Sequence, residues 1–347
     1  MAILLTGGTG YIGSHTATAL VQAGHEVVLL DNLSNSRQDV VERLRQITGR
    51  RLAFHEADVR DRRRVAEVLR AHGCTAVVHF AGLKAVGESV EKPLEYFDNN
   101  VGGSLALLQA MQDAGVSSIV FSSSATVYGE PKRLPLDEAH PTSAANPYGR
   151  TKLHIEEMLA DVCRANPAWR AVCLRYFNPA GAHPSGLIGE DPNGIPNNLM
   201  PYIAKVAMGE LDSLGVFGSD YPTPDGTGVR DYIHVMDLAE GHAAALSLLQ
   251  REAGWHAVNL GTGRGYSVLE MLRAFEQACG HPIAHEIKPR RPGDVASCYA
   301  DPARALSTLG WRANRGIEEM CSSTWRWCSA GRKNDGVSYP RPGKGQY

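Results

Sequence analysis

Gly7-Gly8-Thr9-Gly10-Tyr11-Ile12-Gly13 decides the architecture of this chain. The stretch lies between an apolar run, Ile3-Leu4-Leu5, and a helical pattern that Tyr11 and Ile12 open. Gly7 permits a sharp turn, Gly10 lets a pyrophosphate approach the backbone, and Gly13 lets helix and strand pack closely. The helix N-terminus then offers free N–H groups and the positive end of its dipole to the phosphates. Asp31 closes the next apolar run, Glu26-Val27-Val28-Leu29-Leu30, where a carboxylate grips the adenosine ribose. Its charge repels a 2′-phosphate, so the expected cofactor is NAD.

Working outward, further apolar runs stand at Leu52-Ala53-Phe54, Ala76-Val77-Val78-His79-Phe80, Ser118-Ile119-Val120-Phe121 and Ala171-Val172-Cys173-Leu174-Arg175. They are apolar on both faces and alternate with amphipathic segments, which predicts an α/β fold with a doubly wound, Rossmann-type parallel sheet. Residues 1–178 read as the dinucleotide-binding domain, joined by segments near 229–260. Prolines and glycines crowd 179–228, with a short helix near Met200–Met208. A helix over Val235–Leu249, a strand over Ala257–Leu260 and a helix over Ser267–Cys279 follow. Residues 179–330 thus read as a smaller substrate domain, and 331–347 as a mobile polar tail.

More residues of the dinucleotide end follow from position after the strands. Asn32, Asn35 and Ser36 share the loop with Asp31, and Arg37 reads as solvated. Asp58-Val59 follows the third strand, where Asp58 suits either the adenine edge or a helix cap. Phe80-Ala81-Gly82 ends the fourth strand with small residues, as backbone close to a nucleotide requires. Asn99 lies in the helical stretch Pro93–Ala114, a poor place for asparagine unless its amide is used.

The chemistry is carried by Tyr148-Gly149-Arg150-Thr151-Lys152. Asn146-Pro147 reads as an N-cap followed by proline at the first helical position. Tyr148 and Lys152, four apart, then project from one helix face. A free tyrosine titrates near ~10; bringing it to neutrality takes roughly 4 kcal/mol of differential stabilisation. A lysine ammonium and a cationic nicotinamide ring together are the expected source. Ser122-Ser123-Ser124-Ala125-Thr126 follows the fifth strand, and Ser124 is the expected partner of Tyr148. A dinucleotide beside a phenolic base implies hydride chemistry at a carbon bearing a hydroxyl.

Composition excludes other classes. With 35 basic and 37 acidic residues, net charge −2, nothing favours nucleic acid or an anionic membrane. No apolar run approaches a membrane span. Seven scattered cysteines without a Cys-x-x-Cys pair fit reduced thiols in a cytoplasmic enzyme, and neither they nor the thirteen histidines suggest a metal. Met1 runs directly into the first strand, leaving no room for a secretory signal.

Taken together these residues resemble the extended short-chain dehydrogenase/reductase family. The strings Phe80–Ser89, Ser122–Gly129, Arg175–Pro179, Gly194–Pro201 and Gly228–Val235 are similar to its members that interconvert UDP-galactose and UDP-glucose, over residues 2 to about 327. The resemblance implies that Tyr148 takes the proton from the hexose 4-hydroxyl while hydride passes to tightly held NAD. The 4-keto sugar then turns and receives the hydride on its opposite face. Ser124 would hydrogen-bond the 4-oxygen, and Lys152 would hold the ribose. Lys84 and Phe177 look like cofactor contacts. Asn178, Asn198, Leu199, Phe217, Arg230, Arg291 and Asp294 look like UDP-sugar contacts, with the arginines on the diphosphate and Phe217 against uracil. Cys298 falls where some members carry a tyrosine beside the hexose; a smaller residue there goes with use of N-acetylated UDP-hexosamines. A one-residue shift would put Tyr299 at that place instead. The family is commonly a homodimer joined through helices around Pro93–Ala114 and Tyr148–Ala165. A 4,6-dehydratase needs an acid beside the serine–threonine turn, where this chain has Ala125. A dehydrogenase that releases NADH is a second rival, and a non-catalytic NAD-binding regulator a third.

Overall fold

The computed structural model describes residues 1–191, 196, 198–291 and 293–333. Gly194, Ile195 and Asn197 of the quoted strings lie outside the described residues, as do residues 334–347, where most of the expected tail falls. Residues 331–333, read as the start of the tail, belong to the helix Ile317–Lys333.

Seven parallel strands form the central sheet. Their order across it is Gly254–Leu260, Arg170–Tyr176, Ser118–Ser124, Cys74–His79, Ala2–Thr6, Glu26–Asp31 and Ala53–Glu56. Strict period-two alternation sends side chains to two separate cores. Ile3, Leu5, Val27, Leu29, Val172 and Leu174 enter one core, and Leu4, Val28, Leu30, Ala171 and Cys173 the other. Chain order reverses direction at Ala2–Thr6, the switch point at whose carboxyl end an α/β sheet opens a ligand crevice. The Gly7 turn sits there.

The sheet recruits a segment from late in the chain. Gly254–Leu260 pairs in parallel with Arg170–Tyr176 as an edge strand. Helix Val235–Arg251, which precedes it, contributes Leu238, Ala245, Leu246 and Leu249 to the core that also buries Leu20 and Val21 of helix Tyr11–Gln22. A second, smaller sheet is centred on Val229–His234, which pairs with Asn178–Ala180, Gly265–Ser267 and Ser297–Cys298. Beneath it a third core joins helices Leu199–Ala207, Val268–Cys279 and Ile317–Lys333 with strand Leu214–Phe217.

The helical stretch Pro93–Ala114 is not continuous. α-Helix over Pro93–Tyr96 passes into a π-helical segment, Phe97–Gly102, before α-helix resumes at Gly103–Ala114. Widened turns of this kind gather at functional sites. This one carries Asn99 and Asn100 to the sheet's open end.

Candidate active site

The glycine turn is built as its spacing demanded. Gly7 has φ +68°, and a Cβ there would lie 2.8 Å from the Ala81 nitrogen. A Cβ on Gly13 would meet the Gly7 carbonyl oxygen at 2.2 Å, so helix and strand touch backbone to backbone. Gly10 is less crowded: an added Cβ meets only the Gly7 oxygen, at 3.2 Å. Gly10 also caps helix Tyr11–Gln22 with no side-chain hydrogen bond, leaving the helix end available to an anion. These features fit a dinucleotide.

Asp31 is buried and anchors the loop above it. Its carboxylate accepts from the Thr9 N–H (3.1 Å), the Leu33 N–H (2.9 Å) and the Ser36 hydroxyl (3.0 Å). One of about four lone-pair positions stays open to a ribose. Asp58 accepts from Asn32 Nδ2 at 3.1 Å, and the Arg60 guanidinium bonded to it holds its carboxyl down at about 2. The helix-cap alternative for Asp58 is excluded, because Asp61 caps helix Arg62–Ala71 through the Arg64 N–H. Asn35, Val59, Phe80, Ala81 and Gly82 complete this wall.

At the far end of the cleft, the Asn146 side chain accepts from the Gly149 N–H at 2.8 Å and starts helix Pro147–Ala165. The first turns of that helix bury Tyr148 and Lys152. Burial foremost, then Tyr176, pushes the Tyr148 phenol well above the ordinary tyrosine range, while a hydrogen bond with Ser124 pulls it down. Lys152 lies one helical turn beyond Tyr148. Its ammonium donates to the Ser122 carbonyl at 2.8 Å and stands 5.8 Å from the Tyr148 ring centre. Burial lowers Lys152 to about 8, with Glu156 opposing. Burial thus opposes the phenolate, and the Lys152 charge below the ring and a cationic ring beside it would both favour it. Ser124 also accepts from the Thr126 N–H (3.2 Å) and hydroxyl (3.0 Å). Thr126 was visible in the serine–threonine run but drew no role from the sequence.

The two ends and a third wall enclose one cleft of about 1340 Å³, larger than a single small-ligand pocket. Every residue expected at the cofactor, from Gly7 through Lys84 and Asn99 to Phe177, lines it. On the third wall stand Asn178, Asn198, Arg230, Asp294 and Cys298. Arg230 lies 3.8 Å from Asp294 and pairs in register with Cys298, so Cys298 and not Tyr299 meets the cleft. Three expected contacts do not line it. Leu199 begins its helix behind Asn198, and the Arg291 guanidinium lies 3.7 Å over the Phe217 ring. Arg290 lines the cleft instead, tied to Asp220 at 2.7 Å. Arg291 remains at the rim, since its carbonyl accepts from the Asp294 N–H at 3.2 Å.

Two further residues carry the site without having been expected. Glu190 accepts from Lys84 Nζ (2.8 Å) and Asn198 Nδ2 (2.9 Å), bridging the cofactor and third walls. It comes from a loop with no periodic signal. Asn100 holds the Leu83 backbone at both its N–H (2.8 Å) and its carbonyl (3.0 Å) and donates to Thr151 at 3.1 Å. The expectation that an asparagine amide is used in this stretch therefore applies to Asn100 as well as to Asn99, which donates to Asn100 Oδ1 at 2.9 Å.

Comparison with known proteins bears on this geometry. Residues 3–261 match the NAD dependent epimerase/dehydratase family. The chain is 59% identical over 330 residues to a UDP-glucose 4-epimerase of Bacillus subtilis (strain 168), spanning 95% of this chain and 97% of that protein. A crystal structure of UDP-glucose-4-epimerase from Stenotrophomonas maltophila, with NAD and formylated UDP-arabinopyranose bound, superposes with a TM-score of 0.94 at 53% identity, covering 96% of this chain and 99% of that one. The UDP-Glc/GlcNAc 4-epimerase of Campylobacter jejuni superposes with a TM-score of 0.83 at 37% identity, covering 95% and 99%.

Proposed function

The chain belongs to the NAD dependent epimerase/dehydratase family, and we propose that it interconverts UDP-galactose and UDP-glucose by inverting the hexose at C4. It is an NAD-dependent enzyme. The observation that carries the reading is one cleft with a dinucleotide cradle at one end, Tyr148 beside Ser124 at the other, and Arg230 and Asn178 between.

Residues 1–178, with the returning segments near 229–260, hold NAD through the Gly7–Gly13 turn, Asp31 and the wall around Phe80–Gly82. Residues 179–330 supply the UDP-sugar wall. Bound NAD supplies a reversible hydride acceptor at the sugar carbon. Tyr148 removes the 4-hydroxyl proton and later returns it, with Ser124 holding the 4-oxygen. Lys152 holds the ribose and keeps a positive charge under the site. Arg230 and Arg291 meet the diphosphate, Asp294 fixes Arg230, and Asn178 and Asn198 orient the ligand. Phe217 with Leu199 offers the uracil an apolar rim. The test is direct: purified protein given UDP-galactose should form UDP-glucose with no net absorbance change at the NADH band. Accumulating NADH, or no product from NAD-loaded protein, overturns the reading.

Cys298 favours a second substrate pair. A thiol in place of a phenol ring leaves room for an acetamido group beside the hexose, so UDP-N-acetylglucosamine and UDP-N-acetylgalactosamine are interconverted as well. Cys298→Tyr should abolish this activity while sparing the plain pair; equal loss of both would refute the role. We further assign a cytoplasmic homodimer. Leu94 is 83% exposed and Val90 62% on the helices near Pro93, an apolar patch that a second copy would cover. Sedimentation of Leu94→Asp should show monomers where the unaltered chain shows dimers. Among the described residues no helix is long and apolar enough to cross a membrane.

A further inference from the structure

Behind the cleft floor lies an ion pair that the proposed mechanism leaves without a task. Glu156 stands one turn beyond Lys152 on helix Pro147–Ala165, and Arg175 lies on strand Arg170–Tyr176; their side chains are 2% and 5% exposed. Arg175 grips Glu156 through Nε (3.0 and 3.1 Å) and Nη2 (2.6 Å). Ser123 donates its hydroxyl to the same carboxylate at 2.5 Å. On its other side Arg175 donates to the Tyr128 hydroxyl at 3.2 Å, which donates to Asn259 at 2.6 Å. Both carboxylate oxygens and all three guanidinium nitrogens are thus hydrogen-bonded.

Such pairs give little stability over well-packed apolar side chains, because desolvation offsets their attraction. Their distinctive effect is directional. Here the direction is informative: Ser123 lies between Ser122, whose carbonyl takes the Lys152 ammonium, and Ser124, the partner of Tyr148. Glu156 therefore ties the helix bearing the base to the strand end bearing its partner. Resting on the function proposed above, we infer that Glu156 is a positioning residue: clasped by Arg175 and Ser123, it sets the spacing of Tyr148 from Ser124 and backs the Lys152 ammonium with a negative charge.

The surroundings of Lys152 agree. From its own helix it faces Tyr148 and Glu156, and from strand Ser118–Ser124 the Phe121 ring at 4.9 Å. From strand Cys74–His79 it faces His79, held neutral by burial and further lowered by the lysine's charge. Strand Arg170–Tyr176 brings the neutral Tyr176 and Arg175, whose charge Glu156 cancels. Of the ionisable side chains among them only Glu156 favours the ammonium, and the Phe121 ring face adds a weaker attraction.

Glu156→Gln in the NAD-loaded protein tests the assignment. Loss of the carboxylate lowers the lysine's proton affinity, so the alkaline limb of the kcat profile should move down by about one pH unit. Loosened spacing should lower kcat per NAD-loaded chain about tenfold to a hundredfold, with KM for UDP-galactose unmoved. Glu156→Asp should restore the alkaline limb. Ser123→Ala, which spares the ion pair, should lower kcat less and leave the limb in place. If Glu156→Gln does not fold, Ser123→Ala and Glu156→Asp still decide. A merely structural clasp would lower the melting temperature with kcat per loaded chain and the pH limb unchanged, and that result overturns the inference. Absence of epimerisation in the unaltered protein would instead overturn the function itself.

Discussion

The dinucleotide end and the sugar-nucleotide wall of the same cleft were built by different rules. The first is laid out by strand ends of one parallel sheet, where every expected contact lines the cleft. The second is assembled from loops and two-residue pairings, and there Leu199, Phe217 and Arg291 stand off the lining while Arg290 comes in. A parallel sheet places its loops by register and crossover hand, so position after a strand is already position in space. A loop is placed only by whatever packs beneath it. Glu190 makes the point, since it reaches Lys84 across 106 residues of chain.

This contrast can be broken experimentally. Tyr148→Phe should have the largest effect, lowering kcat about a thousandfold while the protein keeps its NAD. Turnover near that of the unaltered chain would place the base elsewhere. Gly13→Ala comes next. Its Cβ falls 2.2 Å from the Gly7 oxygen, with only backbone to yield, so about 3 kcal/mol of stability and the co-purifying NAD should be lost in denaturation and absorbance measurements. Gly10→Ala, whose Cβ would meet only the Gly7 oxygen at 3.2 Å, should lose less stability than Gly13→Ala and mainly lose cofactor affinity.

A third effect is set by acid. Burial holds His15, His79 and His234 at about 3 and His242 at about 4, below the ordinary 6.5. The unfolded chain therefore takes up protons first as pH falls. Stability present at pH 7 should drop below pH 6.5 by about 2 kcal/mol per such histidine on reaching pH 5, continuing toward pH 3. Three of the four (His15, His79 and His242) sit on or against the central sheet, so urea unfolding at pH 5 should open the dinucleotide half first. A pH-independent midpoint would refute this. The smallest effect separates two arginines. Arg230→Ala, at the cleft wall beside Asp294, should raise KM for UDP-galactose about thirtyfold, and Arg291→Ala, at the rim, several-fold less. The reverse order would mean that the loop after residue 288 closes onto the ligand.

Much of the site was legible because its signals are local. Gly7, Gly10 and Gly13 are spaced by the geometry of one turn, and Asn146, Tyr148 and Lys152 by that of one helix. Asp31 was legible through its place at a strand end. The role given to Lys152 was legible only in part: helical spacing puts it near Tyr148, but the Ser122 carbonyl that takes its ammonium belongs to another strand. The π-helical turn at Phe97–Gly102 left no pattern to read, since one extra residue per turn changes little in a helical sequence.

By itself the chain determined the strands of its central sheet, its glycine turn, the helix of Tyr148 and Lys152 and hence its cofactor, because each follows from steric and hydrogen-bonding rules acting within a dozen residues. Tertiary structure alone decided that Cys298 rather than Tyr299 meets the cleft, that Glu190 joins two walls, and that Glu156 answers to Arg175 and Ser123. Those choices turn on the register between strands and on desolvated charges finding partners, and both depend on segments brought together only by folding.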